Sequence, residues 1–205
     1  MSAARGRLRA LLAGALCVLA PGVALAAGDP ADPANPPADA RLVIPLDGRH
    51  VVLMRHATAP GVGDPPGYRL DDCATQRNLS DEGRAEARAA GDRLRAAGLA
   101  QARVFTSAWC RCRETATLLG LGPVALAPPL DSFFEATGEA DRRTAALRAF
   151  IRERLSEDLT APVLVTHQVN ITALTKLFPA SGEMLVLRVD GEQPPVVVRR
   201  MTVAR

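Results

Sequence analysis

The sequence predicts an α/β fold, a three-layer α/β/α sandwich around a mostly parallel central sheet. Short aliphatic runs alternate along the chain with longer segments of helical periodicity, which is typical of this architecture. The first run, residues 51–54, has no polar residue, as expected for a strand that is buried on both faces. The chain has 205 residues, 48% of them hydrophobic, which is enough for one domain with a substantial core. We place that domain at residues 41–205.

Residues 1–26 have the pattern of a secretory signal peptide. Three arginines precede an apolar stretch, and small residues on either side of Leu25 form a cleavage site, so we expect cleavage after Ala26. Pro21 and Gly22 interrupt the apolar stretch before it reaches the roughly 20 residues that a membrane span needs. The sequence therefore predicts a periplasmic or secreted protein with no transmembrane helix after signal removal.

The segment that follows the signal, residues 27–40, is rich in Pro, Ala and Asp and predicts a disordered leader. Removing residues 1–26 removes three of the 25 basic residues and no acid, which leaves 22 basic and 22 acidic residues. Aromatic residues make up 3% of the chain. Without a basic excess or stacking side chains, we expect no nucleic-acid partner.

The first predicted strand leads into a long loop, residues 57–78, which contains three glycines and three prolines. Loops of this length within a compact domain usually build or cover a site, so we expect it to form a pocket wall. A purely solvated loop is the alternative. Ser80 then predicts the N-cap of a helix that ends at Gly98, with two acids in its first turn.

The remaining elements follow in alternation. A strand at residues 102–106 leads into a helix that ends near Gly120, and residues 124–126 predict a short edge strand. After an irregular segment, residues 141–157 show the apolar stripe of an amphipathic helix. The later elements are a strand at 162–166, a helix at 170–178, and a closing hairpin of residues 184–189 and 196–203.

Three of the predicted strands end next to residues that can bind or transfer phosphate. Arg55 and His56 follow the first strand, Arg111 lies in the first turn after the second, and His167 follows the fourth. Arginine offers a planar fork of donors to phosphate oxygens, and neutral histidine is a nucleophile. Each motif alone could be a solvated surface feature. Because parallel strands end at one edge of a sheet, together they indicate phosphoryl chemistry.

Three cysteines remain after signal removal: Cys73, Cys110 and Cys112. In an exported protein, one disulfide with one thiol left over is expected. The C-x-C spacing differs from that of a zinc knuckle, and the chain has only three histidines, so we predict no metal site and no cofactor.

The order of these motifs resembles that of the histidine phosphatase superfamily, the relatives of phosphoglycerate mutase. That family's signatures are Arg-His-Gly, Leu-Thr/Ser-x-x-Gly-x-x-Gln-Ala, Ser-x-x-x-Arg-x-x-x-Thr-Ala and a strand that ends in Thr-His. Their counterparts here are residues 55–57, 79–87, 107–116 and 163–167. Two positions depart from the pattern: Ala57 replaces glycine, which could crowd the phosphate, and Glu86 replaces glutamine.

The resemblance implies a two-step phosphoryl transfer from a small-molecule phosphomonoester, with neither metal nor cofactor. His56 would become phosphohistidine, while Arg55, Arg111 and His167 would hold the phosphoryl oxygens before water releases phosphate. The expected substrate-binding residues are Arg77, Asn78 and Ser107.

The family's proton donor to the leaving group, usually a glutamate after the second arginine helix, has no certain counterpart in this chain. We favour Glu135 as that catalytic acid, with Asp131, Asp71 and Asp72 as alternatives.

The signal peptide and the cysteine-containing loop resemble the exported branch of the family, which acts on phosphorylated sugars of the cell envelope, including lipopolysaccharide. That branch implies a Cys73–Cys110 disulfide and a buried Cys112. The alternative function is a binding protein that holds a phosphorylated glycan or lipid without turnover. The sequence gives no oligomeric state.

Overall fold

The structure, a computed structural model, describes residues 43–157 and 159–203. It contains a six-stranded sheet with the strand order β3-β2-β4-β1-β5-β6. The strands are β1 (His50–Arg55), β2 (Val104–Thr106), β3 (Val124–Leu126), β4 (Val163–Thr166), β5 (Met184–Arg188) and β6 (Val196–Met201). The predicted signal peptide and leader lie outside the described residues.

Strands β1 to β4 run parallel, and β5 and β6 complete the sheet in antiparallel pairing. The last two strands form a hairpin at one edge, and β3 forms the other edge, as predicted. The carboxyl ends of these four parallel strands therefore lie along the same edge of the sheet. This edge is where α/β folds place their ligands.

Four α-helices cover the sheet: α1 (Asp81–Ala96), α2 (Cys110–Leu118), α3 (Ala140–Leu155) and α4 (Gln168–Thr175). Short 3-10 helices lie at Cys73–Thr75, Pro128–Leu130 and Thr137–Glu139. Helix α4 ends earlier than residue 178, the predicted boundary. Its cap residue Lys176 has a positive φ of 64°, a left-handed conformation that ends a helix.

The two faces of the sheet carry separate apolar cores. In β1, Val52 and Met54 pack against α1 and α2, whereas Val51 and Leu53 pack on the opposite face against α3 and α4. All four side chains are fully buried. A strand with both faces covered has no position for a polar side chain, which explains its uninterrupted apolar sequence. The predicted three-layer α/β/α sandwich is confirmed.

Helix α1 sits unusually close to the loop that follows β1. Ser80 caps the helix by accepting a hydrogen bond from the Gly83 N–H at 3.1 Å. A Cβ atom at Gly83 would lie 2.0 Å from the carbonyl oxygen of Thr58, so only glycine fits there. The glycine of the Leu-Ser-x-x-Gly motif thereby fixes the backbone two residues after His56.

A disulfide joins Cys73 to Cys110, the first residue of α2, and Cys112 is free and buried. Both features were expected from the resemblance. The bond ties the far end of the loop between β1 and α1 to the start of the helix that carries Arg111. Within the described part of the chain, no helix has the length and apolarity to cross a bilayer.

Candidate active site

A pocket of about 370 Å³ opens at the carboxyl ends of β1 and β4, beside the start of α2. Six of the residues predicted from the sequence line it: Arg55, His56, Arg77, Arg111, Glu135 and His167. The other two predicted residues, Asn78 and Ser107, do not line the pocket. The parallel topology thus brings together side chains that are up to 112 residues apart in the sequence, from Arg55 to His167.

His56 lies in the pocket as a buried, neutral imidazole. The side chain follows β1, is 3% exposed, and its Nδ1 lies 2.8 Å from the carbonyl oxygen of Ala57. A carbonyl oxygen only accepts, so Nδ1 carries the proton and Nε2 keeps its lone pair. Burial, aided by the charges of neighbouring arginines, lowers the pKa of His56 to about 3.

The methyl group of Ala57 does not line the pocket. Ala57 is fully buried and packs with Leu79 and Ala87. Its N–H donates to Oγ1 of Thr115 at 3.1 Å. The backbone beside His56 is therefore held by α2, and the effect of this departure from the family pattern on phosphate binding stays a prediction.

Half-buried Arg55 and buried Arg111 bring cationic donors to the pocket. Nη1 of Arg55 donates to the carbonyl oxygen of Pro179 at 2.9 Å, which anchors the side chain. The Nε atoms of both arginines are buried and have no acceptor among the described residues. Two guanidinium groups that line one pocket supply the positive charge and the donors that an anion requires.

His167 follows β4 and is buried beside the nucleophile, with a distance of 5.5 Å between the two ring centroids. Its Nε2 lies 2.8 Å from Oγ of Ser107 and 3.4 Å from Sγ of Cys112. Burial and the nearby His56 lower the pKa of His167 well below its usual value. Ser107 was predicted to bind substrate; the structure instead makes it a buried partner of His167.

Arg77 lines the pocket, but its guanidinium is used to hold the loop. Nε donates to the carbonyl oxygen of Gly63 at 2.7 Å, and Nη1 donates to that of Ala59. The neighbouring Asn78 turns its amide back to the carbonyl oxygens of Cys73 and Gln76, at 2.6 and 3.1 Å. Asn78, predicted to bind substrate, is thus placed as a support of the turn.

Of the four carboxylates considered as the acid, only Glu135 lines the pocket. Asp131 accepts a hydrogen bond from the Ala108 N–H at 2.8 Å, and burial raises its pKa. Asp71 is exposed and pairs with Arg69. Asp72 caps a 3-10 helix by accepting from the Ala74 N–H at 3.1 Å. Placement therefore favours Glu135, whose role as the proton donor stays a prediction.

The sequence reasoning missed Asp64, an acid that lies inside the pocket. Its carboxylate contacts Nη1 of Arg111 with both oxygens, at 2.8 and 3.0 Å. It also accepts from the indole N–H of Trp109 and from the Arg77 N–H, both at 3.0 Å. Burial favours the protonated form, but these partners outweigh it and lower the pKa of Asp64. The available signal was an acid between Gly63 and Pro65 in the pocket loop.

The pocket also has an apolar rim that no sequence motif marked. Val62 and Phe134 are 88% and 51% exposed and both line the mouth, together with Tyr68. The side chain of Trp109, which is 7% exposed, forms the wall behind them. A large exposed aromatic ring at the mouth of a charged pocket is suited to contact the rest of a ligand whose anionic group lies deeper.

A family model described as the histidine phosphatase superfamily, branch 1, matches residues 51–132. This segment contains the strand with Arg55 and His56, the helix-opening motif and Arg111. Over this segment, 82 of the 205 residues, the chain is similar to the histidine phosphatase superfamily. The phosphoglycerate mutase-like fold predicted from the motifs is confirmed by the solved structures given below.

One curated relative, the mitochondrial serine/threonine-protein phosphatase Pgam5 of Drosophila grimshawi, is 34% identical over 76 residues. The match spans 37% of this chain and 24% of that protein. It therefore concerns a fraction of the relative's length.

Solved structures with the same fold cover most of the domain. A SixA structure from Nakamurella multipartitia matches with a TM-score of 0.55 and 23% identity, covering 76% of this chain and 97% of its own. Bacillus stearothermophilus YhfR matches with a TM-score of 0.54 and 17% identity, covering 73% and 95%. The protein histidine phosphatase SixA in complex with tungstate matches with a TM-score of 0.53 and 20% identity, covering 75% and 96%.

Proposed function

We propose that this protein is a histidine phosphatase that hydrolyses small phosphomonoesters through a phosphohistidine intermediate on Nε2 of His56, without a metal ion. The observation that carries the proposal is the orientation of His56. Its Nδ1–H is fixed on the carbonyl oxygen of Ala57, which leaves Nε2 as the lone-pair atom in a pocket lined by Arg55 and Arg111. Arg55 and Arg111 supply the positive charge that the phosphoryl group requires.

The reaction has two displacements at phosphorus. In the first, Nε2 of His56 forms the N–P bond as the P–O bond to the leaving group breaks, and the leaving oxygen takes a proton from Glu135 or from water. In the second, water attacks phosphorus and gives its proton to Glu135 or to solvent, the N–P bond breaks, and its electron pair returns to Nε2. The arginines stabilise the negative charge of the equatorial oxygens in both transition states.

For the substrate, we propose a phosphorylated sugar of the cell envelope. The pocket has the volume of a small-molecule site, which is too small for an extended polymer. The exposed ring of Phe134 can cover the apolar face of a sugar, while Ser132, Glu135 and Gln168 on the same lining offer polar groups to its hydroxyls. Aromatic stacking with polar contacts around it is a common way to bind an amphipathic ring.

We further propose that the protein is exported to the periplasm or secreted, with residues 1–26 removed. The Cys73–Cys110 disulfide supports this location, because structural disulfides persist in oxidising compartments. N-terminal sequencing of the protein purified from its native host should give a chain that begins at Ala27. A chain that begins at residue 1 or 2 and fractionates with the cytoplasm would refute the proposal.

The phosphatase activity is tested with p-nitrophenyl phosphate in the presence of EDTA, at mildly acid to neutral pH. We expect turnover by the wild type and a loss of about a thousandfold or more in His56→Ala, because the nucleophile is gone. His50→Ala is the matched control, since its ring bonds Asp47, away from the pocket. If no phosphomonoester turns over but anions bind, the alternative of a phosphoglycan-binding or phospholipid-binding protein replaces this proposal.

A further inference from the structure

Asp64 forms an ion pair that a phosphate-binding arginine would not be expected to make. The side chains of Asp64 and Arg111 are 5% and 4% exposed, so the pair is almost fully removed from solvent. Both carboxylate oxygens lie within 3.0 Å of Nη1 of Arg111. Two oxygens on one guanidinium nitrogen reproduce part of the contact that a phosphoryl group would make with the same side chain.

The loop that carries Asp64 is otherwise weakly held. Between residues 60 and 67, Val62 and the three prolines are exposed, so the segment buries little apolar surface. Gly61 and Gly63 have positive φ values of 92° and 68°, conformations that give the backbone a tight path beside the pocket. A segment with few apolar contacts opens at low cost. Its attachments are the polar contacts of Asp64 and the Arg77 side chain.

We propose that Asp64 is a positioning residue that holds Arg111 by occupying its Nη1 donor, and that the substrate phosphoryl group displaces this carboxylate when it binds. The inference rests on the proposed function, because it takes Arg111 as the phosphate-binding arginine. Asp64 keeps the buried cation neutralised and correctly oriented in the free enzyme. It thereby sets how tightly phosphate binds.

Displacement follows from electrostatics. A carboxylate and a phosphate dianion on the same buried arginine would repel each other strongly, because little water screens them. Arg55 also lines the pocket and makes no ion pair with Asp64, so its guanidinium is available to the incoming anion. Asp64 then leaves with its loop, which also breaks its contact with the Trp109 indole.

The affinity of the protein for inorganic phosphate tests the proposal, measured by calorimetry on wild type and Asp64→Asn. Asparagine keeps the shape and removes the competing charge, so we expect phosphate to bind roughly three- to tenfold tighter. KM for p-nitrophenyl phosphate should fall by a similar factor, with a smaller change in kcat. The matched control is Asp71→Asn, which makes the same charge change in the same loop on an exposed side chain outside the pocket. Unchanged or weaker phosphate binding in Asp64→Asn would overturn the inference.

Wild-type protein provides a second test that needs no variant to fold. Trp109 is the only tryptophan of the chain, and its indole N–H donates to Asp64 at 3.0 Å. Saturation with inorganic phosphate should therefore shift the tryptophan emission, and Asp64→Asn should show a much smaller shift. Binding that is proven by calorimetry but leaves the emission unchanged would show that Asp64 stays in place.

These measurements also separate the inference from the proposed function. Phosphate titration requires no turnover, so a protein that binds phosphate with the expected emission shift but hydrolyses nothing would retain the Asp64 inference and lose the phosphatase proposal. Turnover through His56, with no effect of Asp64→Asn on phosphate affinity, would retain the phosphatase proposal and overturn the Asp64 inference.

Discussion

At the scale of single residues, the site depends on keeping a histidine neutral among arginines. His56 is buried with Arg55 and Arg111 beside it, and both burial and the positive charges disfavour the imidazolium. A protonated imidazole has no lone pair on Nε2. The same arginines that we propose as phosphate ligands therefore keep His56 in the neutral form that a nucleophile needs, well into the acid range.

This arrangement predicts a loss of stability on acidification. In the folded state the pKa of His56 is about 3, against an ordinary value of 6.5, so the unfolded chain binds more protons between these two pH values. The free energy of unfolding should fall as the pH drops from 7.5 to 5, by about 1–2 kcal/mol from His56 alone. His167 contributes in the same direction.

Urea unfolding of wild type and His56→Ala at the two pH values measures this contribution. The variant retains His167 and should lose less stability on acidification than the wild type. Equal losses in the two proteins would show that His56 is not held neutral by the fold.

Site residues at the ends of buried strands could be predicted from the sequence, whereas some of those in loops could not. Arg55, His56 and His167 end buried strands, and topology alone brings strand ends together. Asn78, placed in the turn at the end of the loop, could not be assigned, because its direction depends on carbonyl oxygens supplied by the folded loop. Asp64 was missed for the same reason, since its partner Arg111 lies 47 residues away.

At the scale of elements, two glycines of α1 set how closely the helix approaches its neighbours. A Cβ atom at Gly83 would lie 2.0 Å from the Thr58 carbonyl oxygen, and one at Gly91 would lie 2.0 Å from that of Leu119. In both cases the obstacle is backbone, so the helix would have to move. One contact adjoins the nucleophile, and the other lies at the far end of α2.

Alanine at either glycine should therefore destabilise the domain, by about 1–3 kcal/mol, despite the better helix propensity of alanine. Only Gly83→Ala should also lower kcat/KM, because Thr58 lies two residues after His56. Thermal unfolding and p-nitrophenyl phosphate kinetics on both variants distinguish the two effects. A similar loss of activity in Gly91→Ala would mean that the closeness of Gly83 to the nucleophile is unimportant.

The elements themselves were largely predictable, and their ends less so. Uninterrupted apolar runs indicated β1 and β4, and Ser80 with two acids indicated the start of α1, because these signals are local. The end of α4 was placed at residue 178, although the helix stops at Thr175. Lys176 adopts a left-handed conformation, which could not be predicted because lysine has no preference for it.

At the scale of the whole molecule, the Cys73–Cys110 disulfide joins the pocket loop to the sheet-packed α2 across 37 residues. Gln76, near one end of this connection, accepts a hydrogen bond from the Cys110 N–H at 3.0 Å. The bond therefore links the position of Arg111 to that of the loop that carries Asp64 and Arg77. Loop closure of this length usually contributes a few kcal/mol to stability.

Replacing both cysteines by serine should lower the free energy of unfolding by about 2–4 kcal/mol. Because the loop would be less well ordered, KM for p-nitrophenyl phosphate should rise while the nucleophile remains intact. Reduction of the wild-type protein should reproduce the rise in KM, and reoxidation should reverse it. A variant with unchanged stability and KM would show that the disulfide is dispensable for the site.

The sandwich fold could be predicted because the apolar sequence of a strand indicates that both of its faces are buried. Parallel strands also need crossover connections, which are usually helices that cover the sheet. The shape of the pocket did not. Its rim combines Val62 from the loop after β1 with Phe134 from the segment before α3, and no periodicity links such distant irregular segments. Which residues form the pocket rim could therefore be seen only in the folded structure.

The measurement that tests the central claim most directly is the trapping of the phosphorylated enzyme. The purified protein is mixed with a ³²P-labelled phosphomonoester, quenched in alkali, and digested for mass spectrometry. We predict a phosphoryl group on His56 that is stable in base and labile in acid, and no label in His56→Ala. Label on another residue, or turnover that persists in His56→Ala, would contradict the phosphohistidine mechanism.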